Sequence, residues 1–299
     1  MTNSPDKLSP QDLNNAQELL DELFQEVKSE ESPLSGGDKL NTGGNALQGL
    51  RETKVTFGNP TNDLIRLTKK RFDKAGVKLS KIQKHQMREQ FDFYYMTLTV
   101  SLRPKRGAQF SRVECALDFG PKGAGEPIVQ TIFPKSEWKE VLNWGGSMNL
   151  ALNGNLEWAA EVDVPDLSML ADLPQKVKAN VANKNELKAF ITVPDFSFKL
   201  GRAEIVATGK GNAECFWRIE KPELQQVQTV QFGVVFKVPQ GTTTIELTGL
   251  LAADPDIKWL VANVRNVIED LSDKLQTLLR RKERLPIGDH EKWTITLPA

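Results

Sequence analysis

The strongest constraint on this chain lies between Phe91 and Gly120, where two runs alternate apolar and polar residues. In the first run Tyr94, Met96, Leu98, Val100 and Leu102 share one parity, and Tyr95, Thr97, Thr99 and Ser101 the other. In the second, Val113, Cys115, Leu117 and Phe119 oppose Arg112, Glu114, Ala116 and Asp118. A period of two sends successive side chains to opposite faces of a strand, so each run is a strand with one dry face. Pro104 and Gly107 between the runs have turn chemistry, and the expectation is a β-hairpin.

The same signal recurs downstream. Residues 147–164 alternate around an Asn153-Gly154-Asn155 turn and predict a second hairpin. Short strands are expected at 53–57, 128–133, 187–193, 196–200, 203–208, 213–219, 227–238 and 242–250, and again at the C-terminal WTITLP. Gly, Pro and Asn punctuate them at short intervals, the rhythm of a sandwich or barrel. The fold class is therefore α+β, mainly β: an antiparallel β-sandwich or curled sheet with flanking helices. A long helix over 254–284 is expected to pack on it, striped by Leu260, Val264, Leu271, Leu275 and Leu278. That stripe suits the core or, alternatively, a homo-oligomer seam.

Ahead of the strands lies a different composition. Residues 9–29 carry Ser9 as a cap, Pro10 at the first helical position and Asp12 completing a capping box. Leu13, Leu19, Leu20, Leu23 and Val27 stripe one face of this helix, with acids opposite. Its apolar face suits docking on its own domain or in a protein partner's groove. The Gly-, Ser- and Asn-rich stretch that follows reads as a flexible linker. The expected organisation is a tethered acidic helix at 1–31, a linker at 32–52 and a β-rich domain at 53–299.

Charge is balanced at 39 basic and 39 acidic residues, but only by cancellation. Residues 1–31 hold eight acids and two bases, while residues 62–89 hold nine bases and three acids. The basic segment, expected as helices within 61–90, offers Arg66, Lys69, Lys70, Arg71, Lys74, Lys81, Lys84 and Arg88 for phosphate contact. No recognition helix or zinc-finger signature accompanies them. Opposite charge predicts that the acidic helix docks on the basic one.

Chemical signatures are sparse. Gly120–Pro127 and Lys210–Asn212 are glycine-containing turns without the Lys-Ser/Thr and helix of a phosphate loop. Cys115 and Cys215 make no disulfide framework and sit in similar surroundings, RVECALDFG and NAECFWRIE. The repeat suggests two duplicated β units, about 91–164 and 187–284, with both cysteines facing inward. No metal or cofactor is expected, because His85, Cys115, Cys215 and His290 lack paired ligand spacing. No apolar run reaches the roughly 20 residues a membrane-spanning helix needs. No leader is read at the N-terminus, so the expected location is cytoplasmic.

The leading functional expectation is a non-enzymatic protein-binding or scaffold protein that docks through the 9–29 helix. A nucleic-acid-associated protein using the basic segment is the first alternative. A carboxylate-dependent enzyme and a pore-former inserting the 147–164 hairpin remain open behind it.

Overall fold

The computed structural model describes residues 8–31, 42–70, 85, 87–88, 90–103, 105, 108–123, 125–134, 144–152, 158–162, 190–198, 204–220 and 229–299, with backbone pairing alone within 144–198. Two five-stranded antiparallel sheets face each other across one apolar core. The first sheet holds β1 (Lys54–Phe57), β3 (Phe91–Arg103), β11 (Thr229–Pro239) and β5 (Ile128–Phe133) in that order. Its fifth strand, β2 (Leu64–Arg66), shares the β3 edge with β1. The second sheet runs β13 (Ile287–Thr296), β12 (Thr244–Pro255), β4 (Phe110–Gly120), β10 (Glu214–Glu220) and β9 (Glu204–Thr208). A three-stranded sheet of β7 (Trp158–Val162), β6 (Trp144–Leu152) and β8 (Phe190–Phe198) accompanies them. This is the mainly antiparallel α+β architecture that the strand pattern predicts.

The strands β3 and β4 are where expected, but they are not a hairpin. β3 pairs with β11 from Ser101–Thr229 to Phe91–Pro239, whereas β4 pairs with β10 and β12. Their connection crosses from one sheet to the other. Alternation reports which face of a strand is dry and is silent about which strand lies beside it. Two strands that each need a wholly apolar inner face bury more by facing each other than by lying side by side. Two ring contacts close the gap between the sheets: Phe119 on Phe236 at 5.0 Å and Trp217 on Phe232 at 4.7 Å. The Trp217 indole also donates to the Pro134 carbonyl at 3.1 Å. On the outer parity of β3, Tyr95 and Thr97 are buried rather than wet, and the Thr97 hydroxyl donates to the Tyr95 hydroxyl.

The expected 147–164 hairpin is present, with Met148, Leu150 and Leu152 opposite Val162, Ala160 and Trp158. Leu64–Arg66 is a strand, not part of a helix. β1 covers β3 only over 100–103, so β2 supplies the partner that residues 94–96 otherwise lack. Residues 71–84 of the expected basic helices lie outside the described residues.

Helix α1 (Pro10–Glu30) carries the capping box read from the sequence, with Ser9 and Asp12 bonded reciprocally. It packs on α2 (Thr42–Glu52) and β13. α2 occupies residues expected as linker. Glu31 is the reason, because its carboxylate accepts the Gly43 and Gly44 amides at 3.0 and 2.8 Å and so caps the helix N-terminus. A Cβ on Gly43 would lie 2.8 Å from the Glu31 carboxylate and 3.0 Å from a Val27 methyl, so a larger residue there would displace the capping carboxylate or crowd the two helices. Glu31→Gln is expected to cost about 1 kcal/mol and to raise amide exchange at Gly43 and Gly44. Unchanged exchange would show that packing alone fixes α2.

The single helix expected over 254–284 is replaced by several elements. β12 runs on through Pro255, and Asp256 caps α3 (Ile257–Val264). A 3-10 turn at Ile268–Asp270 and α4 (Asp273–Arg281) follow. Leu260, Val264, Leu271, Leu275, Leu278 and Leu279 are all buried in this chain's own core. The stripe is real, but consecutive short elements lay it on one surface. No helix among the described residues is long and apolar enough to cross a membrane.

Candidate binding surfaces and charged clusters

Four features compete as functional sites: the α1 face, the basic segment, a charged cluster on the second sheet, and a carboxyl pair on β13. The α1 face is spent internally. Leu20, Leu23 and Val27 are 1 %, 0 % and 0 % exposed, Leu13 is buried and Leu19 half-buried. Each such side chain stabilises the docked helix by about 1.5–3 kcal/mol, so its detachment is rare. The acids on the other side hold the helix down. Glu22 pairs with Lys274 at 2.6 Å, Glu26 accepts the Ser272 amide at 2.7 Å, and Asp21 meets Arg51 at 2.5 Å. Charge partners of α1 among the described residues thus include Arg51 of α2 and the segment opening α4. Residues 71–84 of the basic segment, on which docking is expected, lie outside the described residues.

The basic segment is partly assembled into one place. Arg66 at the end of β2, Lys69, and Arg88 just before β3 line a cavity of about 130 Å³ with Met87, Phe91 and Phe93. Asp92 enters it too and holds the Arg66 guanidinium at 2.7 Å. That contact raises the Arg66 pKa. On the neighbouring strand, the Lys237 ammonium sits 4.2 Å from the Phe91 ring centre. Three cations and one acid thus share the described lining with apolar side chains. Lys70 is exposed outside it, and Arg71, Lys74, Lys81 and Lys84 lie outside the described residues.

The charged cluster could not be read from the sequence because its members are far apart. Glu114 is 2 % exposed and accepts Arg218 at 2.6 Å and Arg284 at 3.0 Å. Arg284 also reaches Asp254 at 2.8 Å, and Arg112 bridges Asp254 and Glu220. Burial pushes the Asp254 carboxyl above its ordinary value, against the pull of Arg284 and Arg112. Its Oδ1 accepts no hydrogen bond among the described residues. The register places Arg112, Glu114, Arg218, Glu220 and Asp254 on the parity opposite the core. Arg284 follows α4, so the cluster ties the helical segment to the sheet.

On β13, Asp289 and Glu291 form a pair resembling acid-base chemistry. Partial burial, with Asp289 adding its charge and a hydrogen bond, lifts the Glu291 carboxyl above its usual range. Asp289 is already committed, since its Oδ2 accepts the Phe57 amide at 3.3 Å and ties β1 to β13. Carboxyls in direct contact leave no room between them for a scissile bond. The two cysteines are buried side by side in the second sheet, with Cys115 opposite Trp217 and Cys215 opposite Leu117. Burial raises the Cys115 thiol far above its normal value, which makes it inert.

Comparisons with known proteins add little. No family model and no curated protein matches the chain. Among solved structures, a pore forming protein is similar at TM-score 0.35 and 5 % identity, over 68 % of this chain and 78 % of the other. Clostridium perfringens delta-toxin is similar at TM-score 0.33 and 8 % identity, over 81 % and 86 %. A collagen-binding domain from a Staphylococcus aureus adhesin is similar at 0.24 and 7 %, over 69 % and 88 %. Such distant likenesses carry no argument about activity.

Proposed function

We propose that this chain is a non-enzymatic binding protein that engages an acidic protein segment at the Arg66–Lys69–Arg88 cavity. One observation carries the reading: three cations from two segments, Arg66 and Lys69 from one and Arg88 from the other, line a single small cavity with Met87, Phe91 and Phe93. A cavity of about 130 Å³ admits one or two side chains and suits an acidic residue beside an apolar one. A nucleic-acid surface instead needs a long basic track that neutralises several phosphates. The α1 face then serves the fold, and the ligand is met by charge and one apolar contact.

The test is selection from a random peptide library on the intact protein, followed by fluorescence anisotropy of the selected peptides. Enrichment of Asp or Glu next to an aliphatic or aromatic residue is expected. Affinity should fall at least tenfold in the Lys69→Glu/Arg88→Glu variant. Tighter, steeply salt-dependent binding of duplex DNA, lost in the same variant, would replace this reading with the nucleic-acid one. Selection without acidic enrichment would end it.

A further inference from the structure

At the other end of β3 the cross-strand register sets two cations directly opposite each other: Lys54 on β1 faces Arg103. Like charges in that arrangement repel across about 5 Å, and a sheet normally avoids them. Here they are reinforced. Lys105, just past the end of β3, and Arg51, at the end of α2, line the same open depression of about 570 Å³. Glu52 is its one acid, and it is engaged by the Gln48 side-chain amide at 2.8 Å. Lys54, Arg103 and Lys105 are exposed and meet no carboxylate at ion-pair distance among the described residues.

The backbone that carries the cations is held in place by buried structure. Thr53, 6 % exposed, donates its hydroxyl to the Gly49 carbonyl at 2.7 Å and accepts the Lys105 amide at 3.1 Å. One buried side chain thereby pins the end of α2, the start of β1 and the crossing between the sheets. Arg51 lies over the Phe24 ring at 4.3 Å and is fixed by Asp21. Repulsion between the opposed Lys54 and Arg103 lowers the stability of the free protein and is relieved when an anion binds.

We infer that this depression is a binding site for a multivalent phosphate compound, either free or as a lipid headgroup. Lys54, Arg103 and Lys105 line one depression, and exposed cations grouped in this way attract a polyanion. The volume lies in the range of small-ligand sites. The site is roughly 35 Å along β3 from Asp92 in the proposed peptide cavity, so each can fail without the other.

The experiment measures melting temperature and calorimetric binding with inorganic tripolyphosphate, for the intact chain and for Arg103→Thr. Two opposite signs are expected from one substitution. Arg103→Thr should raise the melting temperature of the free protein, because the repulsion is gone, and weaken tripolyphosphate at least tenfold. The double variant Lys54→Thr/Arg103→Thr should abolish the ligand-induced rise. A second arm sediments the protein with phosphatidylcholine vesicles, with and without phosphatidylinositol bisphosphate. Sedimentation lost in the double variant assigns a headgroup, and tripolyphosphate binding without it assigns a soluble ligand. A wild-type protein that binds neither, or variants that bind as well as wild type, would overturn the inference.

Discussion

Replacing Arg284 by Met should lower stability by about 3 kcal/mol, the scale for breaking a buried ion pair, or roughly 5–10 °C in melting temperature. Glu114 would keep only Arg218, and Asp254 only Arg112 at 3.7 Å. The loss comes mainly from stranding charge in the interior, so adding Asp254→Asn to Arg284→Met should recover part of it. The pH dependence has a definite sign. A carboxyl whose folded pKa lies above its unfolded value binds a proton more tightly when folded. Lowering the pH from neutrality towards the unfolded value of about 4 therefore favours the fold at Asp254. That gain should be larger in Arg284→Met, where burial acts on Asp254 with less opposition, so the deficit should narrow on acidification. A deficit that widens, or a double variant worse than the single, would show that the cluster is not governed by Asp254.

Gly288→Ala should be at least as damaging, at about 4 kcal/mol or more, a size reserved for clashes and stranded groups. An ideal Cβ there would lie 2.0 Å from the Leu251 carbonyl oxygen, inside the β12–β13 ladder where Gly288 faces Ala252. Backbone cannot yield as the end of a side chain can, so the ladder must slip. With it go Ile287, Ile295 and the edge-on contact of Trp293 with Phe57 at 5.2 Å. Chemical denaturation of purified protein reads the change, or the fraction recovered soluble if the variant does not fold. A loss under about 1 kcal/mol would mean the strands part there without cost, against the ordinary cost of backbone overlap.

The sequence disclosed what each residue can read locally. Ser9 and Asp12 announce the start of α1, and alternating parity marks β3, β4, β6 and β7. Contacts between distant segments stayed hidden. Nothing near Thr42 shows that Gly43 and Gly44 will meet Glu31, so a helix looked like a linker. Glu114, Asp254 and Arg284 read as ordinary charges until three segments stack. The basic segment was visible as composition, but its convergence on a cavity depends on β2 returning to the edge of β3. The opposed pair Lys54 and Arg103 is legible only once β1 and β3 are known to be neighbours.

The crossing between β3 and β4 also decides when this protein can begin to fold. β3 and β4 are not each other's partners, and only one edge of β3 is met by earlier strands, β1 and β2. β3 waits for β11, and β4 for β10 and β12, all of them well over 90 residues later. A ribosome adding about 5–20 residues per second would leave β4 and the second edge of β3 unpaired for several seconds at least. Loop closure over such distances makes folding slow even when the product is stable. During that interval two apolar faces and their backbone edges are open to other chains, so the vulnerable form of this protein is the unfinished one.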